Sequence, residues 1–324
     1  MLRIVFAGTP IFTIPLLDLL AREFSLVGVL TSPPKRQGRR MEMKASDVFV
    51  CTELLKKHGV ISPDIPIFAV EEIDDKLISS IAELKPDLLV CFAYGKLFPK
   101  KMLDVFTLGG INVHPSLLPK WRGPSPIPFA IYSGDKESGI SIQTIKEKMD
   151  SGDILIQEKF RIEAGDTTEI ILSSKVAALS AQMVAKVLLN FDDYIKNAKV
   201  QNEENASYSR LLKKEDGLID WKKTAIEIER QILAFTPWPG TYTFCNGKKL
   251  NIIDAVAMND DSSIERQANA SSGLVIAKKN DIGILVKTGK GILCVRQLQW
   301  QTKKILNWKD FLNGAPDFIG SILS

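Results

Sequence analysis

The first 115 residues alternate short, almost wholly apolar runs with segments of helical spacing, and few architectures accept that alternation. The runs are Leu2–Ala7, Leu26–Thr31, Ile67–Val70, Asp87–Phe92 and Gly110–Val113. Between them, Ile14–Ala21, Val48–His58 and Asp75–Leu84 set apolar residues three and four apart, as a helix requires. Strands that are apolar on both sides suit a parallel sheet buried on both faces. The expected fold is α/β, a Rossmann-like doubly wound parallel sheet. Ile154–Phe160 adds an alternating strand, and Thr167–Leu189 reads as one long helix with an apolar stripe through Val176, Met183, Val184 and Val187.

Beyond this helix the texture changes. Residues 191–207 are rich in Asn, Lys and Glu and read as a linker, which leaves a first domain over 1–190 and a second over 208–324. In the second, turn signals at Asn246-Gly247, Ser271-Ser272-Gly273 and Gly289-Lys290-Gly291 separate short strands, the pattern of a small β-barrel.

Composition excludes several classes. No uninterrupted apolar run reaches the length of a membrane helix, and Met1–Gly8 runs into a glycine turn rather than a secretory signal, so the cytoplasm is the expected compartment. Four scattered cysteines suggest neither a zinc cluster nor a disulfide framework. The net charge is +4, and from residue 200 onward 17 Lys and Arg face 14 Asp and Glu, so +3 of it lies in the last third. That bias is compatible with phosphate contact but equally with a solvated surface. The turn Gly8-Thr9-Pro10 lacks the G-x-G-x-x-G spacing of dinucleotide sites, which argues against an NAD enzyme.

The chemistry concentrates in Ile111–Pro119. His114, one of two histidines in the chain, stands two residues after Asn112 on an extended segment, so both side chains share a face. They fall at the carboxyl edge of the sheet, where open α/β folds bind ligands. Asp150, before Gly152, is either a turn-capping aspartate or a carboxylate that orients the imidazole. Asn, His and Asp together can polarise a carbonyl, stabilise an oxyanion and move a proton.

The string Asn112–Pro119, then Trp121-Arg122-Gly123, then Asp150-Ser151-Gly152-Asp153, closely resembles the folate-dependent formyltransferase family. Phe6–Pro10 at the start, with Lys213–Trp221 and Phe235–Gly240 towards the end, resembles the branch of that family that formylates methionyl-tRNA. The resemblance covers nearly the whole chain. It implies 10-formyltetrahydrofolate as donor and initiator methionyl-tRNA as acceptor, no metal, and a C-terminal OB-like barrel; a monomer is the default. Asn112, His114 and Asp150 take the catalytic positions. Phe92, Tyr94, Gly95, Ser116, Leu117, Leu118 and Pro119 match the family's folate surroundings. Arg36, Arg39 and Arg40 in the basic stretch Pro33–Lys44, with Lys248, Lys249, Lys303 and Lys304, become the tRNA contacts. The competing readings are a formyltransferase acting on a small amine or sugar nucleotide, a formyltetrahydrofolate hydrolase, and a catalytically silent tRNA-binding protein.

Overall fold

The computed structural model describes residues 1–37, 41–258, 271–279 and 281–324. The chain divides into two compact units. The first comprises Met1–Pro126, Glu137–Arg161 and Ile170–Arg210; the second comprises Ile127–Lys136, Ile162–Glu169 and Leu211–Ser324.

The strands of the first unit, in chain order, are β1 (Arg3–Gly8), β2 (Ser25–Thr31), β3 (Lys35–Gln37), β4 (Glu42–Lys44), β5 (Ile67–Ala69), β6 (Leu88–Phe92), β7 (Gly110–His114), β8 (Glu137–Thr144) and β9 (Ile154–Arg161). Seven of them form one sheet in the order β5-β2-β1-β6-β7-β8-β9, with β3 and β4 a separate hairpin. From β5 to β7 every pairing is parallel, as the apolar runs predict. The chain steps outward through β2 and β5 and then returns beside β1 as β6, so the strand order reverses between β1 and β6. Such a reversal opens a crevice at the carboxyl ends of the strands. β8 and β9 extend the sheet antiparallel. β8 carries little apolar signal, because only Ile140 and Ile142 mark its core, yet Ser138, Ser141 and Gln143 are also buried on it.

The expected long helix spans Thr168–Leu189, and by length and composition it is apolar enough to cross a membrane. Here its stripe of Ile171, Val176, Met183, Val184 and Val187 is wholly buried. Its body packs against helix Ile14–Glu23, which itself buries Leu16, Leu17 and Leu20, and it also buries Ala181 and Leu188. Each such buried leucine contributes roughly 1.5–3 kcal/mol. The helix is not uniform, since Ile171–Val176 forms a wider π-helical turn. Ser173 and Ser174 there both donate to the Ile170 carbonyl, at 3.3 and 2.6 Å, competing with the backbone ladder.

In the second unit, β10 (Thr241–Cys245), β11 (Lys248–Met258), β12 (Val275–Lys279), β13 (Gly283–Lys287), β14 (Ile292–Trp300) and β15 (Leu306–Asn307) form an antiparallel sheet ordered β10-β11-β14-β13-β12, with β15 on β14. Asn246 and Gly247, both at positive φ (49° and 74°), make the tight β10–β11 turn. The last residues then bridge the two edges, Leu323 pairing with Cys245 and Ile322 with Leu274, which closes the sheet on itself. Helix Ala225–Ala234, capped by Thr224 and Glu227, lays Ile228 and Ile232 on a core with Trp221, Leu250, Leu293 and Phe311.

Candidate active site

β7 delivers Asn112 and His114 to the carboxyl edge of the sheet. Its register with β8 sets Asn112 opposite Gln143 and His114 opposite Ser141. Asp150 reaches the same place from the turn between β8 and β9. Its Oδ1 accepts from Gln143 Nε2 at 3.0 Å and from Asn112 Nδ2 at 3.4 Å, and lies 3.5 Å from His114 Nδ1. Its Oδ2 accepts from the Gly123 N–H at 2.7 Å. Only 5% of the His114 side chain and 10% of Asp150 is exposed. His114 Nε2 sits 2.8 Å from the Trp121 carbonyl. A carbonyl can only accept, so Nε2 carries a proton and Nδ1 is the nitrogen that faces Asp150.

One tripeptide thus holds both groups. The Trp121 carbonyl fixes the imidazole, and the Gly123 amide fixes the carboxylate. The tripeptide is itself fixed by Ser207–Ser209, which runs beside it: Arg122 N–H donates to Ser207 O at 2.8 Å, Ser209 N–H to Arg122 O at 2.7 Å, and Trp121 N–H to Ser207 Oγ at 2.9 Å. Trp121 and Asp150 adopt left-handed backbone, φ 58° and 52°, which non-glycine residues hold only where their surroundings over-determine them. For Asp150 that restraint is visible, since Gln201 Nε2 donates to the carbonyls of Asp150 and Gly152 at 2.9 and 2.7 Å. Gly152 packs its Cα against the Thr144 carbonyl, leaving no room for a side chain.

The loop Ser116–Pro119 is pinned rather than free. Ser141 Oγ donates to Ser116 O at 2.6 Å and accepts from Leu118 N–H at 3.1 Å, while Gln157 Nε2 donates to Leu118 O at 2.9 Å. Ser116 and Leu118 are buried; Leu117 and Pro119 are partly open. Phe92 and Tyr94 point inward. Phe92 meets Phe12 edge-on at 5.3 Å, and Tyr94 stacks on Phe98 at 5.5 Å within the core. Burial, with nearby Cys91, pushes the Tyr94 phenol up to about 12, and its hydroxyl has no hydrogen-bond partner among the described residues. What this turn can present to a ligand is therefore backbone, at exposed Ala93 and Gly95.

The basic stretch forms the hairpin β3–β4, with exposed Arg36 paired to Met43. Arg39 and Arg40 lie outside the described residues. In the second unit the two lysine pairs come to one end of the sheet, because Leu250 pairs with Trp300 and Gln301 N–H donates to Lys249 O. Lys248, Lys303 and Lys304 are exposed, whereas Lys249 lies over the Tyr242 ring at 3.5 Å.

Sequence reasoning assigned no role to the Arg122 side chain, Gln143, Gln201 or Glu203. Arg122 is wholly buried, with Nε on Gln201 Oε1 at 3.0 Å and a two-pronged pair to Glu203 at 2.7 and 3.0 Å. Residues 191–207, read as a linker, lie within the first unit and contribute two of these four side chains. Arg122 in a proline-rich segment, with Lys120 as its nearest charged neighbour, is the available signal, because a buried guanidinium demands a carboxylate from elsewhere. Arg122 first, and Lys148 second, hold the Glu203 carboxyl down to about 2 from its ordinary 4.5. A depressed carboxylate contributes stability above its unfolded value that is lost as pH falls through the folded one. Glu203→Gln should therefore be less stable than wild type at neutral pH, and the gap in urea midpoint should close between about pH 4.5 and about pH 2. Solvent at the exposed carboxylate keeps that gap small.

Among the described residues no cluster of His, Cys, Asp and Glu could hold a metal ion. Residues 2–188 match the formyl transferase family, and residues 211–316 match the formyl transferase C-terminal domain. The methionyl-tRNA formyltransferase of Treponema denticola is 49% identical over 318 residues, covering 98% of each chain. The chain belongs to the methionyl-tRNA formyltransferase family. The Treponema pallidum member is 41% identical across 98% of this chain and 97% of that protein. Among solved structures, HypX from Aquifex aeolicus in complex with tetrahydrofolic acid superposes with TM-score 0.62 at 17% identity, over 98% of this chain and 48% of that one. Methionyl-tRNA formyltransferase from Clostridium thermocellum gives 0.54 at 16%, over 81% and 96%. At those identities the structures speak to the fold.

Proposed function

We propose that the chain transfers the formyl group of 10-formyltetrahydrofolate to the α-amino group of methionine on initiator tRNA. The observation that carries this reading is the meeting of Asn112 Nδ2 and His114 Nδ1 at one Asp150 oxygen, 3.4 and 3.5 Å away, at the carboxyl edge of the sheet. Both contacts are long, so both donors can turn to a substrate oxygen.

The amine lone pair attacks the formyl carbon, and the carbonyl electrons move onto oxygen. Asn112 donates Nδ2–H to that oxyanion, and His114 donates from protonated Nδ1, its Nε2–H remaining on Trp121. Asp150 orients the His114 ring and carries the proton released by the attacking amine. As the carbon–N10 bond breaks and the carbonyl re-forms, that proton goes to N10, giving tetrahydrofolate and formylmethionyl-tRNA. An α-amino group titrates near about 7.7–8.0, so a neutral fraction is present at cellular pH. The proposed chemistry needs no metal and no second copy of the chain, and we place it in the cytoplasm.

The folate surroundings assigned to Leu117, Leu118 and Pro119, with backbone polar groups at exposed Ala93 and Gly95, would offer a pterin apolar surface and polar main chain rather than a field of charge. Arg36 on its exposed hairpin, with Lys248, Lys303 and Lys304, supplies the cations for tRNA. Replacing Arg36, Lys303 and Lys304 together by alanine should raise the KM for tRNA and flatten its dependence on log salt by about 0.7 per lost phosphate contact. Kinetics at two salt concentrations test it, and an unchanged slope refutes the assignment. The reaction itself is tested with 10-formyltetrahydrofolate and charged initiator tRNA, free methionine serving as control. Formylmethionyl-tRNA is the expected product. Formylation of free methionine, or folate turnover without acceptor, overturns the reading.

A further inference from the structure

Asp150 is oriented by groups that the formyl-transfer step does not use. Its Oδ1 takes an N–H from Gln143, whose own Oε1 takes an N–H from Gln201 at 3.2 Å, whose Oε1 takes the Arg122 Nε–H at 3.0 Å. An amide can present either its oxygen or its nitrogen, so two amides in series have no inherent direction. A guanidinium has five donors and no acceptor, while the Asp150 carboxylate at the other end and the Asp150 and Gly152 carbonyls beside Gln201 only accept, and together these ends fix one direction. With Arg122 at one end, Gln201 must turn its oxygen to the guanidinium and its nitrogen inward. Gln143 must then turn its oxygen to Gln201 and its nitrogen to Asp150. Arg122 cannot itself rotate, because Glu203 grips the other two nitrogens at 2.7 and 3.0 Å and the Tyr208 hydroxyl accepts from one of them at 3.2 Å.

We propose that Arg122 is a positioning residue: by anchoring the Gln201 oxygen it holds the Gln201–Gln143 relay in the polarity that keeps a donor on Asp150 Oδ1, and so steadies the carboxylate against His114. The two Gln201 N–H groups are shared among three acceptors, the Asp150 and Gly152 carbonyls at 2.9 and 2.7 Å and the longer contact to Gln143 Oε1 at 3.2 Å, so one polarity serves both the side chain and the left-handed backbone of Asp150. The Arg122 side chain reaches Asp150 through Gln201 and Gln143, while its main chain is part of the tripeptide braced by Ser207 and Ser209. The proposal rests on Asp150 having the role assigned above.

The test is Gln201→Glu in the full chain. One oxygen of the introduced carboxylate can still meet Arg122, but the other faces the Gln143 oxygen and two carbonyls, so Gln143 must reverse and turn its oxygen to Asp150. Single-turnover kcat should fall about 10- to 100-fold, the cost of a misplaced catalytic group, with KM for both substrates within about threefold. Protonation of the new carboxyl restores a donor, so the ratio of variant to wild-type rate should rise as pH is lowered from about 7.5 to about 5.5. Gln201→Met, which removes the relay without a titratable group, should lose rate with a ratio that does not vary with pH. In an Asp150→Asn background, Gln201→Glu should change the residual rate less than about threefold. Thermal melting confirms that each variant is folded. The relay is overturned by a Gln201→Glu rate close to wild type, by a ratio independent of pH, or by an equal loss in the Asp150→Asn background. A full rate in Asp150→Asn alone sinks the role of Asp150 itself, and the relay with it.

Discussion

Asp150→Asn should lower kcat by about two to four orders of magnitude, the range of a positioned acid or base, while leaving the KM values nearly unchanged. The two side chains are the same size, and asparagine tolerates the left-handed backbone found at this residue, so backbone strain is not the cause. The cause is the count of donors. Oδ2 accepts from Gly123 N–H, and Oδ1 accepts from Gln143 and Asn112. An amide has one accepting oxygen, so its NH2 must oppose a donor whichever way it turns. Leaving a buried donor unpaired costs about 1–3 kcal/mol, which denaturant melts should register alongside the lost rate. A kcat within about tenfold of wild type would contradict the assignment.

Gly123→Ala should be nearly as damaging to turnover although its side chain takes no part in chemistry. Gly123 has φ 101°, and an added Cβ would strike the Ser209 backbone carbonyl. The tripeptide and the strand-like run Ser207–Ser209 would have to separate, breaking the brace that keeps the Trp121 carbonyl on His114 and the Gly123 amide on Asp150. A displacement of about 1 Å in a catalytic group costs on the order of a hundredfold, and backbone strain of this kind costs about 1–3 kcal/mol. Adding Ser209→Gly should not rescue the variant, because the obstructing atom is main chain. Full recovery in that double variant would show that the Ser209 side chain, not the carbonyl, sets the limit.

The parallel half of the sheet was legible because strands buried on both faces must be apolar throughout. β8 was not, because its Ser141 and Gln143 are buried to hold the Ser116–Pro119 loop and Asp150, and a strand that spends its inward positions on polar groups loses its apolar run. Asn112 and His114 could be placed together from the two-residue period alone. Their meeting with Asp150 could not, since it joins residues 38 apart through a turn whose shape depends on Gln201. The polar composition of 191–207 suggested a solvated linker, and there composition misleads: a glutamine or glutamate that satisfies a buried arginine looks the same as one that faces water. The basic stretch at 33–44 likewise reads as a loop because charge masks the short pairing of Arg36 with Met43.

The pairing of Ser207–Ser209 with Trp121–Gly123 bears on how members of this family can exchange parts. Residues 189–210 fall between the two family matches, yet they supply Gln201, Glu203 and the two serines that brace the site. A chimaera joined at residue 190 would pair one parent's tripeptide with the other parent's brace, while a junction after Arg210 keeps each tripeptide with the partner it evolved beside.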